Sequence, residues 1–486
     1  MRERLLTILR CKHCGGRIDT ARIISTRDEH IEYGLLKCVQ CQFNYPVVEG
    51  IPIIGSPQDR LNAWAETTDT PLIVGATIKD ITLSLQKKMP VHTFGLLLNP
   101  ARRKGLRSLA LTAYSKPAIS SLNNYLPPPR HTGMQKLSHR NIVPGRLQRL
   151  LENRLLLHGR LRLSRFLSEY RNALSAYSAL DIYYRQYSGS EMFNYFFYRF
   201  GQPRYLAALC LAAVLSKMPG TVLDLACGAG HLAHYLSCRR PSSVVVGMDR
   251  DFFRLFIASK YVAPAADFVC SLASNTLPFV NGCFNALLCS DAFHYFPEKW
   301  GLVDEMRRVI IPNGLMLLTR VGNAAVEPRQ GYELMVDGYR NLFSWISHAM
   351  IDEDRLINRY LEKKGPNLAQ VEDVREHKWL SIMATDRKDL YTDYGKLDDW
   401  PHAVGRPVIN PIYVPDESSS PEGHRFRFQF PSEHYAYEDH RYAEYAPSEW
   451  LIPQDVLAAI QTRKRIPSME EHIRRFVVIG VPERYF

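Results

Sequence analysis

An uninterrupted apolar run of about 18 residues is missing from this chain, so no transmembrane helix is expected. The opening Met1-Arg2-Glu3-Arg4-Leu5-Leu6-Thr7 is basic, but its apolar stretch is too short for a secretory signal. Cysteine is too sparse and too unevenly spread for a disulfide framework. Four of the ten are spaced in pairs near the N-terminus, and six lie between positions 210 and 289, mostly in strand-like segments. Unpaired buried cysteine suits a reducing compartment, so a cytoplasmic location is expected. Repeats and low-complexity tracts are absent. Acid is scarce in one stretch. Between Ala101 and Arg171 fifteen Lys or Arg residues accompany only Glu152 and Glu169, an excess that accounts for the formal net charge of +12. A localised basic stretch points to a solvated helix face or to contact with something anionic.

What is present begins with length. A chain of 486 residues exceeds what one core accommodates, and about two to four domains are expected. From Gly145 to Tyr177 apolar residues, among them Leu147, Leu150, Leu151, Leu155, Phe166, Tyr170 and Leu174, recur at helical spacing among arginines. Pro127-Pro128-Pro129 upstream marks a linker or extended turn. The favoured reading is an amphipathic helix with a solvated basic face; RNA, a phosphorylated substrate or a membrane surface is the alternative contact. No named RNA-binding motif is present, and the aromatics do not interleave with arginines as a stacking platform requires.

Cys11-Lys12-His13-Cys14 and Cys38-Val39-Gln40-Cys41 form two C-x-x-C pairs. Each pair can present two thiolates to one metal, and together they supply the closed four-sulfur site of structural zinc. Four thiolates leave no open position for catalysis.

Residues 221–250 carry the chemistry. A short apolar strand ends in Asp224, a glycine loop with Gly228 and Gly230 follows at once, and a second strand ends in Asp249. Gly228, Gly230 and Ala233 also fit the dinucleotide pattern, with Asp249 about 20 residues on. Asp224 decides between the two. A pyrophosphate would lie against the glycine turn and helix N-terminus, where the Asp224 carboxylate would repel it. S-adenosylmethionine carries an ammonium and a sulfonium and no phosphate. Asp224 attracts those cations, Asp249 accepts from both ribose hydroxyls, and the glycines allow close approach to the backbone.

Residues 201–322 resemble the class I, seven-stranded S-adenosylmethionine-dependent methyltransferases. The blocks that carry the resemblance are the glycine loop, Leu277-Pro278-Phe279, the stretch Cys283 to Phe296, Glu305-Met306-Arg307-Arg308-Val309, and Pro312-Asn313-Gly314 with the following leucines. The chain departs at Ala226, where the family usually has Gly, and at Ser271-Leu272-Ala273, where the family often has an acid that bonds adenine. Adenine contacts there must come from backbone or from Ser271. The resemblance implies a cofactor site built from Asp224, Ala226, Cys227, Gly228, Gly230, Asp249, Arg250, Leu272, Ala273 and Ser290. Residues 1–55, including the tail Tyr45 to Ile54, resemble the zinc-ribbon proteins that activate methyltransferases as partners, with Cys11, Cys14, Cys38 and Cys41 as zinc ligands.

The expected fold is α/β: a doubly wound Rossmann-like core with an N-terminal zinc ribbon, a basic helical segment and a C-terminal α+β extension. The expected boundaries are 1–56 for the zinc ribbon, 57–200 for a basic linker and lid, and 201–325 for the core. Residues 326–486 then hold the last core strands and an insertion that shapes acceptor specificity. Phe476-Val477-Val478-Ile479-Gly480 is the candidate for one of those strands. Arg425 to Phe430 alternates with period two and pairs with Ile412-Tyr413-Val414 across residues 417–420 as a hairpin. Residues 183–200 hold nine aromatics that either line an apolar acceptor pocket or pack lid against core. Arg199 and Arg204 are placed to reach the cofactor carboxylate. His231 is expected as a cap or a cofactor neighbour.

Methyl transfer to a hydroxyl is helped by a general base. The candidates follow the fourth core strand: Asp291, His294 and Tyr295, with His294 best suited by its ordinary pKa. The function expected is methylation of a small-molecule intermediate on O, N or C. An RNA or protein methyltransferase is the alternative, with RNA the less favoured partner, because Ser290-Asp291-Ala292-Phe293 is not the Asn/Asp-Pro-Pro-Tyr loop of base-amine enzymes. A binding protein that keeps the cofactor as a structural element is the third reading.

Overall fold

The computed structural model describes residues 1–55, 173–185, 190–328, 331–370, 373–397, 400–401, 404–420 and 422–486. The basic stretch, the proline run and nearly all of the helix expected from Gly145 to Tyr177 lie outside the described residues.

Strands β1 (Ile18–Arg27), β2 (His30–Cys38), β3 (Asn44–Val48) and β4 (Ile51–Pro52) form an antiparallel meander. It folds on itself where Cys11-Lys12-His13-Cys14 and Cys38-Val39-Gln40-Cys41 turn back toward each other. Seven strands form the central sheet, in the order β10-β11-β9-β8-β5-β6-β7. Strands β5 (Val222–Leu225), β6 (Val245–Asp249), β7 (Asp267–Cys270), β8 (Phe284–Ser290) and β9 (Ile310–Gly322) run parallel, and β10 (His348–Asp352) and β11 (Trp379–Ala384) complete it. Strand β11 is antiparallel to both its neighbours, β9 and β10. Strands β5, β6 and β7 are buried along their whole length, because helices pack on one face and the N-terminal meander shares the core of the other, so every side chain needs an apolar partner. Chain order reverses at β5, with β6 on one side and β8 on the other, so the crevice at the carboxyl end of β5 is the switch point where such sheets bind ligands.

The N-terminal meander docks on the β7 edge. Ile53 bridges Cys270 in parallel, the Ile54 amide donates to the Cys270 carbonyl at 2.9 Å, and the Ser271 hydroxyl donates to the Ile54 carbonyl at 2.6 Å. Arg2 and Arg4 both bind Asp267, at 2.9 and 2.8 Å, and Arg10 binds Glu305 at 3.2 Å. Leu5, Leu9 and Ile54 share one apolar core with Val269, Phe279 and Phe284. N-terminal meander and sheet are therefore packed together along this edge.

Two expectations are revised at the C-terminal end. Val478–Val481 (β16) pairs with Arg406–Ile409 (β12) in a separate two-stranded sheet, so the Phe476–Gly480 run is no core strand. The core instead takes its last strands from 348–352 and 379–384. An apolar β-prone run reports burial, and it does not name its partner. The hairpin is present as β13 (Tyr413–Ser420) and β14 (Gly423–Phe428), with β15 (Glu449–Pro453) beside it. Strand β13 continues through Ser420, which pairs with Gly423, so residues 417–420 belong to the strand and not to the reversal.

Candidate cofactor and acceptor site

The glycine loop joins β5 to the helix His231–Arg239. A Cβ on Gly228 would stand 2.9 Å from the Phe196 ring, and its φ is 55°, so the position requires glycine on both counts. Ala226 adopts φ 59° in the same loop, a left-handed conformation that an alanine enters only at a cost. Asp291 (φ 54°) and Arg320 (φ 52°) are two more left-handed residues in this part of the sheet, one directly after β8 and one within the last part of β9. Such strained backbone gathers at binding sites.

Asp224 and Asp249 differ in how they are satisfied. Asp249 Oδ2 accepts from the Gly228 amide at 3.0 Å and Oδ1 from the Asp251 amide at 2.8 Å. Asp224 Oδ2 is buried and has no hydrogen-bond partner among the described residues. Burial, with Asp249 nearby, pushes the Asp224 carboxyl up to about 7. The two carboxylates thus flank one loop, one with backbone amides on both oxygens and one with an oxygen that meets no donor among the described residues.

The other expected cofactor residues surround this loop unevenly. The Arg250 carbonyl accepts from the Cys270 thiol at 3.6 Å, and burial pushes the Cys227 thiol up. The Leu272 carbonyl accepts from Lys12 Nζ of the N-terminal meander at 2.6 Å, and Ala273 packs partly buried beside the core that the meander shares with the sheet. The Ser290 hydroxyl accepts from Thr319 Oγ1 at 2.8 Å. Ser271, considered for adenine, has its hydroxyl committed to Ile54.

The aromatic segment packs over the glycine loop, the position for which it is called the lid. The helix Ser190–Phe197 sets Phe196 on the glycine loop, stacked near Tyr184 at 5.4 Å and His231 at 6.2 Å. Tyr183 donates to Asp251 Oδ2 at 3.0 Å, and Arg254 Nε donates to the Tyr184 hydroxyl at 2.9 Å. Tyr195 donates to Asp291 Oδ2 at 2.8 Å, which ties the lid to the end of β8.

Asp291 sits among three arginines: Arg204 at 3.2 Å, Arg320 at 3.3 Å and Arg199 at 3.4 Å. Burial alone would raise its carboxyl; the guanidinium groups of Arg204, Arg320 and Arg199 outweigh burial and hold it well below the usual carboxylate range. A carboxylate so held is a poor proton acceptor, and the geometry gives Asp291 the part of a counter-ion rather than of the expected base. Arg199 and Arg204 likewise face Asp291, and Arg204 also makes a two-pronged pair with Asp439 at 3.0 and 2.8 Å, so neither is turned to a cofactor carboxylate. His294 is buried, its Nδ1 has no hydrogen-bond partner among the described residues, and burial lowers its pKa so that the ring is neutral at neutral pH. The Tyr295 ring lies 4.1 Å from that of His294.

Arg320, Glu353, Trp379 and Asp439 join this cluster without having been singled out from sequence. Arg320 is the one with a cue, a lone charge where an apolar strand ends. The others come from segments far along the chain, which only the fold brings in. In the N-terminal meander, the sulfurs of Cys11, Cys14, Cys38 and Cys41 lie within 4.8 Å of one another. Four mutually adjacent thiols fit a tetrahedral thiolate metal site.

Known proteins match this central part. The demethylmenaquinone methyltransferase of Thermus thermophilus is 34% identical over 106 residues, 21% of this chain and 48% of that protein. The malonyl-[acyl-carrier protein] O-methyltransferase of Legionella pneumophila is 29% identical over 109 residues, 22% of this chain and 38% of that protein. The solved S-adenosylmethionine-dependent methyltransferase of Geobacter sulfurreducens, in complex with S-adenosyl-L-homocysteine, is 18% identical with a TM-score of 0.27, covering 37% of this chain and 90% of that one. The chain spans less than half the length of these curated relatives. Residues 223–318 match the family model described as a methyltransferase domain, and that segment runs from β5 to the middle of β9.

Proposed function

We propose that the protein is an S-adenosylmethionine-dependent methyltransferase that acts on a small-molecule acceptor, with a structural zinc in its N-terminal module. The observation that carries this reading is the buried, unpartnered oxygen of Asp224 beside a glycine loop at the switch point of the sheet. An anion has no place there. An ammonium supplies both the charge and the hydrogen bond that this oxygen lacks. The strand order of the central sheet and the match over residues 223–318 support the same reading.

Bound S-adenosylmethionine would supply a methyl group activated by its sulfonium. Asp224 would hold the ammonium, Asp249 the ribose hydroxyls, and the backbone around Ser271–Ala273 the adenine. The lid helix would exclude water, and methyl transfer depends chiefly on that exclusion and on alignment. His294 Nδ1 is the group placed to take a proton from the acceptor, with Tyr295 packed against its ring and Asp291 holding the lid through Tyr195. The small-molecule acceptor is supported by this aromatic lid and by the named acceptors of the two relatives. The four cysteines would bind zinc with no position left open.

Calorimetry with S-adenosyl-L-homocysteine and with NAD tests the cofactor reading. Binding of the homocysteine nucleoside without binding of NAD is expected; the reverse order would sink it. Label from methyl-labelled cofactor, recovered in the small-molecule, nucleic-acid or protein fraction of a cell extract, then identifies the acceptor class.

A further inference from the structure

Among the buried side-chain atoms with no hydrogen-bond partner in the described residues, Asp224 Oδ2, His294 Nδ1, Arg320 Nε and Glu353 Oε2 lie at the carboxyl edge of the sheet, with Arg320 Nε facing Asp291 Oδ1 at 3.3 Å. The first belongs to the cofactor loop. His294 and Glu353 flank Arg320. Arg320 Nη1 donates to the other Glu353 oxygen, and its guanidinium lies 4.1 Å over the Trp379 ring, which is 5.6 Å from the His294 ring. Glu353 is 4% exposed, at the start of the helix Glu353–Leu361 that follows β10. A buried carboxylate oxygen left bare costs several times what a typical hydrogen bond contributes, unless it holds a proton or meets a donor.

The surrounding charges say which donor fits. Arg199, Arg204 and Arg320 are linked by ion pairs of 4.0 Å or less to Asp291, Asp439, Glu438 and Glu353. Three guanidinium groups thus face four carboxylates, and each guanidinium is already engaged. An added carboxylate or phosphate finds no uncommitted cation in this set and meets surplus negative charge. A cation meets the opposite. Tyr195 and Trp379, each already under a guanidinium, show that aromatic faces here accept positive charge.

We propose that this edge is the acceptor subsite for a small molecule bearing a basic nitrogen, an amine, with Glu353 Oε2 anchoring that nitrogen and His294 Nδ1 receiving its proton. The inference rests on the methyl-transfer reading and adds the acceptor class to it. The bound ammonium first gives one proton to His294 Nδ1, and from there to water, which frees a lone pair, and that nitrogen then forms the new nitrogen–carbon bond. The carbon–sulfur bond breaks with its electron pair going to sulfur. The nitrogen is left positive. Positive charge moves from sulfur to nitrogen as the bond forms, and the Glu353 carboxylate lies where it stabilises that shift.

The test uses the full chain saturated with S-adenosyl-L-homocysteine and three probes of one shape: benzylamine, benzyl alcohol and benzoate. Benzylamine should bind at least tenfold more tightly than benzoate, and Glu353→Gln should remove that preference while affinity for the homocysteine nucleoside stays unchanged. Gln keeps an oxygen for Arg320, and the wild-type ranking decides the matter even if that variant does not fold. Benzoate or benzyl alcohol binding as tightly as benzylamine, or no binding of benzylamine, overturns the amine assignment and leaves methyl transfer standing. Failure of the homocysteine nucleoside to bind removes both readings.

Discussion

The Tyr485 hydroxyl lies 3.1 Å from His231 Nε2 and within 3.0 and 2.9 Å of the Phe196 and Phe197 carbonyls, so one phenol joins the glycine-loop helix to the lid. The phenol has a single proton, and both carbonyls can only accept. That proton therefore goes to the lid, and His231 Nε2 is the nitrogen that donates. Burial, with Arg199 near, lowers the His231 pKa well below its ordinary value, which agrees with a neutral ring in this tautomer.

Tyr485→Phe should therefore loosen the lid without unfolding the sheet. It leaves two buried carbonyls and a ring N–H short of a partner, a loss of about 1–3 kcal/mol. Hydrogen exchange should speed up over the helix Ser190–Phe197 and stay unchanged in β5 and β8. Unchanged exchange in the lid helix would count against the latch.

Asp224 links cofactor affinity to pH. Its carboxyl is raised from 3.8 to about 7 in the folded chain, so the fold holds a proton that the unfolded chain has released. Stability of the cofactor-free protein should fall as pH rises from about 4 to about 7 and level off above. Affinity for a cationic, unreactive analogue such as sinefungin should move the other way, rising up to about tenfold per pH unit below 7 and flattening above. Asp224→Asn should abolish that binding and raise the unfolding midpoint at pH 8. Calorimetry and thermal denaturation read both, and an Asn variant that still binds the analogue with wild-type affinity refutes the role of this carboxylate.

Ala226→Gly relieves a left-handed alanine. The substitution should stabilise the protein by about 1 kcal/mol or leave stability unchanged, because strain removed from the fold is offset by the greater freedom of glycine in the unfolded chain. Cofactor affinity should stay level or improve. A large destabilisation would mean that the methyl group packs against something the loop needs.

His294→Gln should lower kcat by about 100- to 10,000-fold while leaving cofactor affinity intact. Because burial lowers the pKa of His294, wild-type kcat at saturating cofactor should be flat at neutral pH and fall only as pH drops below about 6.5. A Gln variant with wild-type kcat would reassign the proton transfer.

The sequence made the middle of the molecule readable and the periphery less so. Asp224, Gly228, Gly230 and Asp249 are close in the chain, and their strand–loop–helix setting is local, so pattern alone placed them. The paired cysteines were legible for the same reason: each turn is short, and only the meeting of the two turns needed the fold. The arginine cage of Asp291 was not legible. Arg204 lies 87 residues before Asp291 and 235 before Asp439, and nothing local marks the three as partners. Asp291 read as a base because its position after the fourth parallel strand is visible and its neighbours are not. The last core strands were misplaced for a related reason. His348–Asp352 is short and carries charge at its end, whereas Phe476–Gly480 is more apolar, and pairing rather than composition decides which joins the sheet.

Ile53 and Ile54 pair with Cys270 at the end of β7, an outermost strand of the central sheet. An open edge at such a rim recruits other chains. The N-terminal meander thus has a guardianship beyond its own shape: loosening it would bare the end of that rim, and clumping of the protein is the expected consequence.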